Sequence, residues 1–364
     1  MSQREIGVAV VGYGLGGRVF HAPFVSAVPG LKLISIFQRS GDSAAKAYPN
    51  VRIDRSIEPI LADASIELVV VSTPNETHFP LAKQALEAGK HVVIDKPFSA
   101  TSDQALELGR IARAKNVLVI PFHNRRYDGD FLTVKKLLAD DAVGRLVTFE
   151  TNMDRFRPLP REHKWKESED PTHGMLFDLG PHLLDQILAL FGAPEAITAS
   201  VRSDRDQTAI EDAFNITLHY TRPNGKSLRA SASASYLACE TSPRFLMHGT
   251  RGSFRKYGLD PQEATLESGG KLPPMGSPEP WLQEPANFWG TLTVAPDPAL
   301  PTTLVTTRLE TQPGDYRNYY AQVRDAILGV APAPLTAEDG YRVIKLMELA
   351  RESSTRRCTL PVTF

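Results

Sequence analysis

The chain has 364 residues, a formal net charge of −1, and 42% hydrophobic and 23% charged residues. Those values suit a globular chain long enough for two domains. They exclude a nucleic-acid or anionic-membrane partner recruited by bulk charge. Cys239 and Cys358 lie too far apart for a cysteine metal spacing, and a disulfide framework is not expected. No apolar run reaches the roughly 18 residues of a membrane span. The first strand is expected near residue 6, which leaves no room for a signal sequence, so a cytoplasmic chain is expected.

The apolar run Gly7-Val8-Ala9-Val10-Val11 predicts a strand, and Gly12-Tyr13-Gly14-Leu15-Gly16-Gly17 follows it directly. G-x-G-x-x-G between strand and helix lets main chain approach a dinucleotide pyrophosphate. Gly12 makes the tight turn, Gly14 removes a Cβ from the path of the phosphates, and Gly17 brings helix and strand together. Tyr13 and Leu15 occupy the variable positions of the same cradle. Strands are predicted at 31–37, 67–73, 91–94 and 117–122, with helices at 79–88 and 101–114. Alternation of this kind predicts an α/β fold: a doubly wound parallel sheet ending near residue 122.

The second strand ends in Phe37-Gln38-Arg39-Ser40, with no acid before Asp42. A carboxylate there would accept the 2′-hydroxyl of NAD. Arg39 and Ser40 suit a 2′-phosphate instead, which predicts NADP, with NAD as the open alternative. Asp95-Lys96-Pro97 follows the strand 91–94, placing Lys96 at the carboxyl end of the sheet, where such folds bind ligands. A lysine there is a fixed positive donor able to stabilise a developing alkoxide. A cis bond before Pro97 would direct its stem.

Beyond residue 122 the pattern changes to a helix at 131–139, a strand at 145–151, a helix near 181–191 and strands at 196–202, 213–220, 227–235, 245–248 and 302–310. Period-two stretches with turns such as Pro223-Asn224-Gly225 predict a second, α+β domain with a large, mainly antiparallel open sheet. Residues 260–300, rich in Pro and Gly, read as a long surface excursion, and helices at 315–328 and 337–352 close the chain. The expected division is 1–122 and 123–364, with the last helix a candidate to pack back on the first domain. Gly180-Pro181 predicts a helix start, so His182 is expected in the first turn, where the helix dipole favours a neutral base. Asp178, just upstream, could orient the ring. The plain alternative is a solvated helix face with a capping aspartate.

The glycine loop, Asp95-Lys96-Pro97 and Asp178-x-Gly180-x-His182-x-x-Asp185 resemble, in order and spacing, the Gfo/Idh/MocA oxidoreductases nearly end to end. Within them the chain is most similar to the NADP-dependent scyllo-inositol dehydrogenase group. The resemblance implies that Lys96, Asp178 and His182 are catalytic and that Arg126 and Asp185 contact substrate. It further implies that Thr73, Pro74, Asn75 and His78 form a cofactor-contacting turn beside Lys96 and Pro97. Arg155 is a further substrate candidate, and His123, His163 and Trp165 are pocket candidates not singled out. Two departures stand out: Asp95 replaces the usual glutamate, and His173-Gly174-Met175 replaces a Gly-Gly-Gly run. The implied activity is reversible oxidation of a secondary alcohol on a sugar or cyclitol. Reduction of an anhydro-ketose or dihydrodiol-type carbonyl is the alternative within enzymes, and a non-catalytic NAD(P)-sensing regulator the alternative outside them. A homodimer or larger homo-oligomer is expected to cover the open sheet, and no metal site is expected.

Overall fold

A computed structural model describes residues 4–161, 167, 170–278, 281–297, 299–300 and 302–364. The chain divides into two compact units that are not contiguous in sequence. One comprises Met1–Asn124, Gln262–Trp281 and Asp315–Ile344, the other Arg125–Pro261, Leu282–Gly314 and Lys345–Phe364.

In the first unit, β1 (Ile6–Val11), β2 (Leu31–Phe37), β3 (Arg52–Asp54), β4 (Leu68–Val71), β5 (His91–Ile94) and β6 (Val119–Pro121) pair in parallel. Their order, β3-β2-β1-β4-β5-β6, is that of a doubly wound dinucleotide-binding sheet. Every residue of β1 and β4 is buried, because helices cover both faces of a parallel sheet. The connecting helices are α1 (Ala22–Ala27), α2 (Ser43–Ala47), α3 (Glu58–Ala62), α4 (Asn75–Glu87) and α5 (Ser102–Lys115). A π-helical turn, Gly17–His21, leads into α1. Thr101 caps α5 by accepting from the main-chain N–H of Gln104, and Asn116 ends it in the left-handed region. Strand β3 escapes a periodicity reading because it has only three residues, one of them exposed.

The remaining elements are α6 (Gly129–Ala139), β7 (Leu146–Asn152), α7 (Gly174–Phe191), β8 (Ala196–Arg202), β9 (Ala213–Thr221), β10 (Ser227–Ser235), β11 (Phe245–Gly249) and β12 (Gly252–Lys256). After them come α8 (Pro261–Glu267), β13 (Gly290–Val294), β14 (Val305–Leu309), α9 (Arg317–Ile327), α10 (Ala337–Arg356) and β15 (Leu360–Pro361). The second unit is built on a nine-stranded sheet of order β14-β13-β12-β11-β7-β10-β9-β8-β15. Only β7 and β10 pair in parallel; the other pairs are antiparallel. Strand β10 alternates Leu228, Ala230, Ala232 and Ala234, all buried, with serines and Arg229 on the other face. Helix α7 lies against β9 and β10.

Two expectations need correction. Residues 260–300 are not only a surface excursion. They supply α8 and β13, and Gln262 is fully buried, its Oε1 accepting from Trp281 Nε1 (3.0 Å) and Tyr316 N (2.9 Å). Helix α7 begins at Gly174, not at Gly180-Pro181. Burial of Met175, Leu176, Phe177 and Leu179 outweighs the local break at Pro181, which lies inside the helix and cannot donate to the Phe177 carbonyl. His182 therefore sits well past the first turn, and the helix-dipole argument for a neutral ring does not apply to it.

Candidate active site

In the first unit the glycine loop follows β1. Gly12 has φ +104°, and a Cβ there would lie 2.1 Å from the Ser72 carbonyl oxygen. A Cβ on Gly17 would lie 2.0 Å from the Gly12 carbonyl oxygen. The fold itself requires both glycines. Gly14 differs: nothing lies within 4 Å of a Cβ built there. Its bareness answers no need of the protein's own interior and fits the approach of a dinucleotide phosphate. Leu15 is exposed beside it, and the Tyr13 ring stands edge-on to Tyr48. Arg39 and Ser40, after β2, are both exposed.

The turn Thr73-Pro74-Asn75 follows β4 and opens α4, with Thr77 Oγ1 donating to the Pro74 carbonyl at 2.6 Å. His78 is buried with its Nδ1 2.8 Å from the Pro97 carbonyl oxygen and its Nε2 2.8 Å from that of Thr73. It thus ties the turn after β4 to the turn after β5.

Lys96–Pro97 is a cis peptide. The Lys96 main-chain N–H donates to Asp95 Oδ1 at 2.8 Å, while Oδ2 accepts from Ser72 Oγ at 3.0 Å and lies 3.2 Å from His21 Nε2. His21 is fully buried, and its Nδ1 is 2.7 Å from the Tyr320 hydroxyl. Burial by itself would raise the Asp95 pKa. The hydrogen bond and charge of His21, with the charges of His78 and Lys96, outweigh burial and hold the carboxyl well below its usual range. Burial, and then the Asp95 charge, push the Tyr320 phenol well above its ordinary value.

In the second unit Asp178, His182 and Asp185 fall at i, i+4 and i+7 of α7, one face of the helix. That face is not solvated: His182, Asp185 and Gln186 are 6%, 1% and 0% exposed. Buried polar groups require partners, and arginines supply them. Arg126 reaches Asp185 through two nitrogens, and Arg155 Nη1 lies 3.5 Å from Asp178 Oδ2. Gln186 donates to the Arg125 carbonyl at 2.8 Å and accepts from Arg244 Nη2 at 2.7 Å. Gly174 starts the helix at φ +84°, and a Cβ there would lie 2.7 Å from the Glu211 carbonyl oxygen. The one glycine left of the Gly-Gly-Gly run therefore stands where only glycine fits.

Sequence reasoning missed His21, Tyr320, Gln262, Arg244 and the buried Asp130 beside Arg244 (3.6 Å). A lone histidine or arginine among apolar neighbours carries no local sign of its partner. His123 is buried, and His163 and Trp165 lie outside the described residues. Among the described residues no cluster of His, Cys, Asp or Glu could hold a metal ion. No helix among them is long and apolar enough to cross a membrane.

Residues 6–123 match the NAD-binding Rossmann fold of an oxidoreductase family, and residues 135–364 match that family's C-terminal alpha/beta domain. The chain belongs to the Gfo/Idh/MocA oxidoreductase family. It is 41% identical to an uncharacterized oxidoreductase, YdgJ, of Escherichia coli over 98% of either chain. It is 36% identical to the scyllo-inositol 2-dehydrogenase (NADP+) IolW of Bacillus subtilis, covering 98% of this chain and 95% of the relative. The structure of the oxidoreductase yvaA from Bacillus subtilis matches over the full length of both chains at a TM-score of 0.92 and 34% identity. The protein is an NAD(P)-dependent dehydrogenase that acts on a small molecule.

Proposed function

We propose that this Gfo/Idh/MocA enzyme is NADP-dependent and interconverts a secondary alcohol and a ketone on a sugar or cyclitol of the scyllo-inositol kind. The observation that carries this reading is the stripe Asp178–His182–Asp185 on α7, with His182 and Asp185 buried and Asp178 part-exposed, an acid–base set where a scaffolding helix would bury apolar side chains. The name of the Bacillus subtilis relative supports the substrate class and the cofactor.

When bound, NADP supplies the hydride acceptor. Gly12, Tyr13, Gly14, Leu15 and Gly17 would cradle its pyrophosphate, and Arg39 and Ser40 would take the 2′-phosphate. Thr73, Pro74, Asn75 and His78, with Lys96 and Pro97, would border the rest. His182 removes the hydroxyl proton, and Asp178, one helical turn upstream, stabilises the imidazolium that results. The Lys96 ammonium holds the substrate oxygen as negative charge develops on it. Asp185, oriented by Arg126, accepts from neighbouring hydroxyls of a polyol, and Arg155 borders the same stripe.

Lys96→Met and His182→Ala are expected to lower kcat by about 10²–10⁴-fold, the usual contribution of positioned acid–base groups. NADPH binding, followed by fluorescence titration, should persist in both. Normal turnover in both variants would overturn the assignment. A wild type that binds NADPH tightly yet forms none from a panel of polyols would point to a cofactor-sensing regulator. A cytoplasmic location and a homo-oligomer complete the reading, and exposed Phe156 and Leu237, bridged to each other, support association. A 40 kDa monomer by size-exclusion chromatography would refute the oligomer.

A further inference from the structure

We infer that Arg55, at the end of β3, belongs to the recognition site for the 2′-phosphate of NADP; the inference rests on the NADP reading above. Strands β2 and β3 pair with Phe37 opposite Asp54, so Gln38 and Arg55 leave the sheet side by side, and the Gln38 N–H donates to the Asp54 carbonyl at 3.1 Å. Arg55 Nη1 then donates to two main-chain carbonyls, those of Gln38 and Gly41, each at 2.7 Å. Those carbonyls bracket Arg39 and Ser40. In a trans peptide the C=O and the next N–H point in opposite directions. Holding both carbonyls therefore also orients the Arg39 and Asp42 N–H groups, and Gly41, at φ +80°, allows the tight curl.

The surrounding charges leave one role open. Gln38 is committed: its Oε1 accepts from Ala44 N and its Nε2 donates to Ser43 Oγ, both at 2.9 Å. Asp54 is buried, accepting from Ser35 Oγ at 2.5 Å and Arg52 Nε at 2.9 Å, and Asp42 pairs with Lys46 at 2.9 Å. Among the described residues no carboxylate lies within ion-pair distance of Arg39 or Arg55, and Nε and Nη2 of Arg55 make no hydrogen bond. Two guanidiniums and a serine hydroxyl thus meet at one exposed loop whose own carboxylate, Asp42, is paired with Lys46. A phosphate dianion satisfies that arrangement by charge-assisted hydrogen bonds. A 2′-hydroxyl brings no charge and would leave both guanidiniums unneutralised.

The test is fluorescence titration of the full chain with NADPH, NADH, adenosine 2′,5′-bisphosphate and 5′-AMP. Arg55→Ala is expected to weaken NADPH and the bisphosphate about tenfold or more, in line with loss of a charged hydrogen bond. NADH and 5′-AMP should change less than about twofold, because they lack the charge that the guanidinium meets. Arg55→Lys, which keeps the charge but not the two-carbonyl hold, should recover part of the loss. Equal weakening of NADPH and NADH would make Arg55 a loop support only, and unchanged NADPH binding would remove it from the site. Either result overturns the inference while the NADP reading stands. A wild type that prefers NADH overturns both.

Discussion

Arg126 grips Asp185 with two hydrogen bonds, Nε to Oδ2 at 2.9 Å and Nη2 to Oδ1 at 2.7 Å, and the carboxylate is 2% exposed. Fork geometry of this kind is specific to arginine. A double-mutant cycle on Arg126→Ala and Asp185→Ala, read by urea unfolding, should give a coupling of about 1–3 kcal/mol. Arg126→Ala alone should cost more than Arg126→Lys, because it takes a positive charge and two hydrogen bonds from a buried carboxylate. Arg126→Lys should recover only part of the loss. Additive effects would mean that the pair does not hold α7's polar face together.

Gly14 and Gly17 should respond oppositely to alanine. Gly17→Ala puts a Cβ 2.0 Å from main chain and should destabilise the fold, by about 2 kcal/mol or more given the cost of overpacking. Gly14→Ala meets nothing within 4 Å, so its urea midpoint should stay near wild type. NADPH affinity should nevertheless fall about tenfold or more, because the added methyl occupies the approach of the phosphates. Loss of stability without loss of affinity at Gly14 would contradict the cradle reading.

Gly174→Ala tests the helix start. The left-handed backbone and the nearby Glu211 carbonyl together should destabilise the second unit by about 2 kcal/mol or more. Met175→Ala, at the next position, instead removes buried volume and should lose about 2–4 kcal/mol without any backbone penalty. A Gly174→Ala variant as stable as wild type would show that φ +84° is not required there.

Asp95 should make part of the fold's stability pH-dependent. Its carboxyl is held below the ordinary value of 3.8, so its contribution is full above that value and is lost as pH falls toward the lower, folded-state pKa. The stability gap between wild type and Asp95→Asn, measured by urea unfolding, should therefore be widest at neutral pH and narrow at pH values of about 3 and below. A gap that stays constant into acid would mean that His21 does not stabilise the ionised form. Tyr320→Phe, which removes the hydroxyl on the far side of His21, should reduce the same gap.

How far local pattern reaches is visible in these elements. Strands β1, β2, β4, β5 and β6, helices α4 and α5 and the cradle at Gly12–Gly17 were readable because strand and helix periodicities, and the turn chemistry of glycine, are properties of neighbouring residues. Lys96, Asp178 and His182 were readable as candidates because the short motifs that hold them resemble those of one family. The start of α7 was not. Gly180-Pro181 is a valid local break, and burial of Met175, Leu176, Phe177 and Leu179 overrides it.

What the chain's order of residues determined by itself is therefore the parallel sheet, the glycine turn after its first strand and the candidates for the acid–base groups. Tertiary structure alone decided who neutralises whom. Arg126 meets Asp185 59 positions away, and His21 meets Tyr320 299 positions away. Arg55 reaches back under the loop of Arg39 through carbonyls that carry no sequence signature. Hydrogen bonds and charge pairs act over a few ångströms of space, and separation along a folded chain says almost nothing about separation in space.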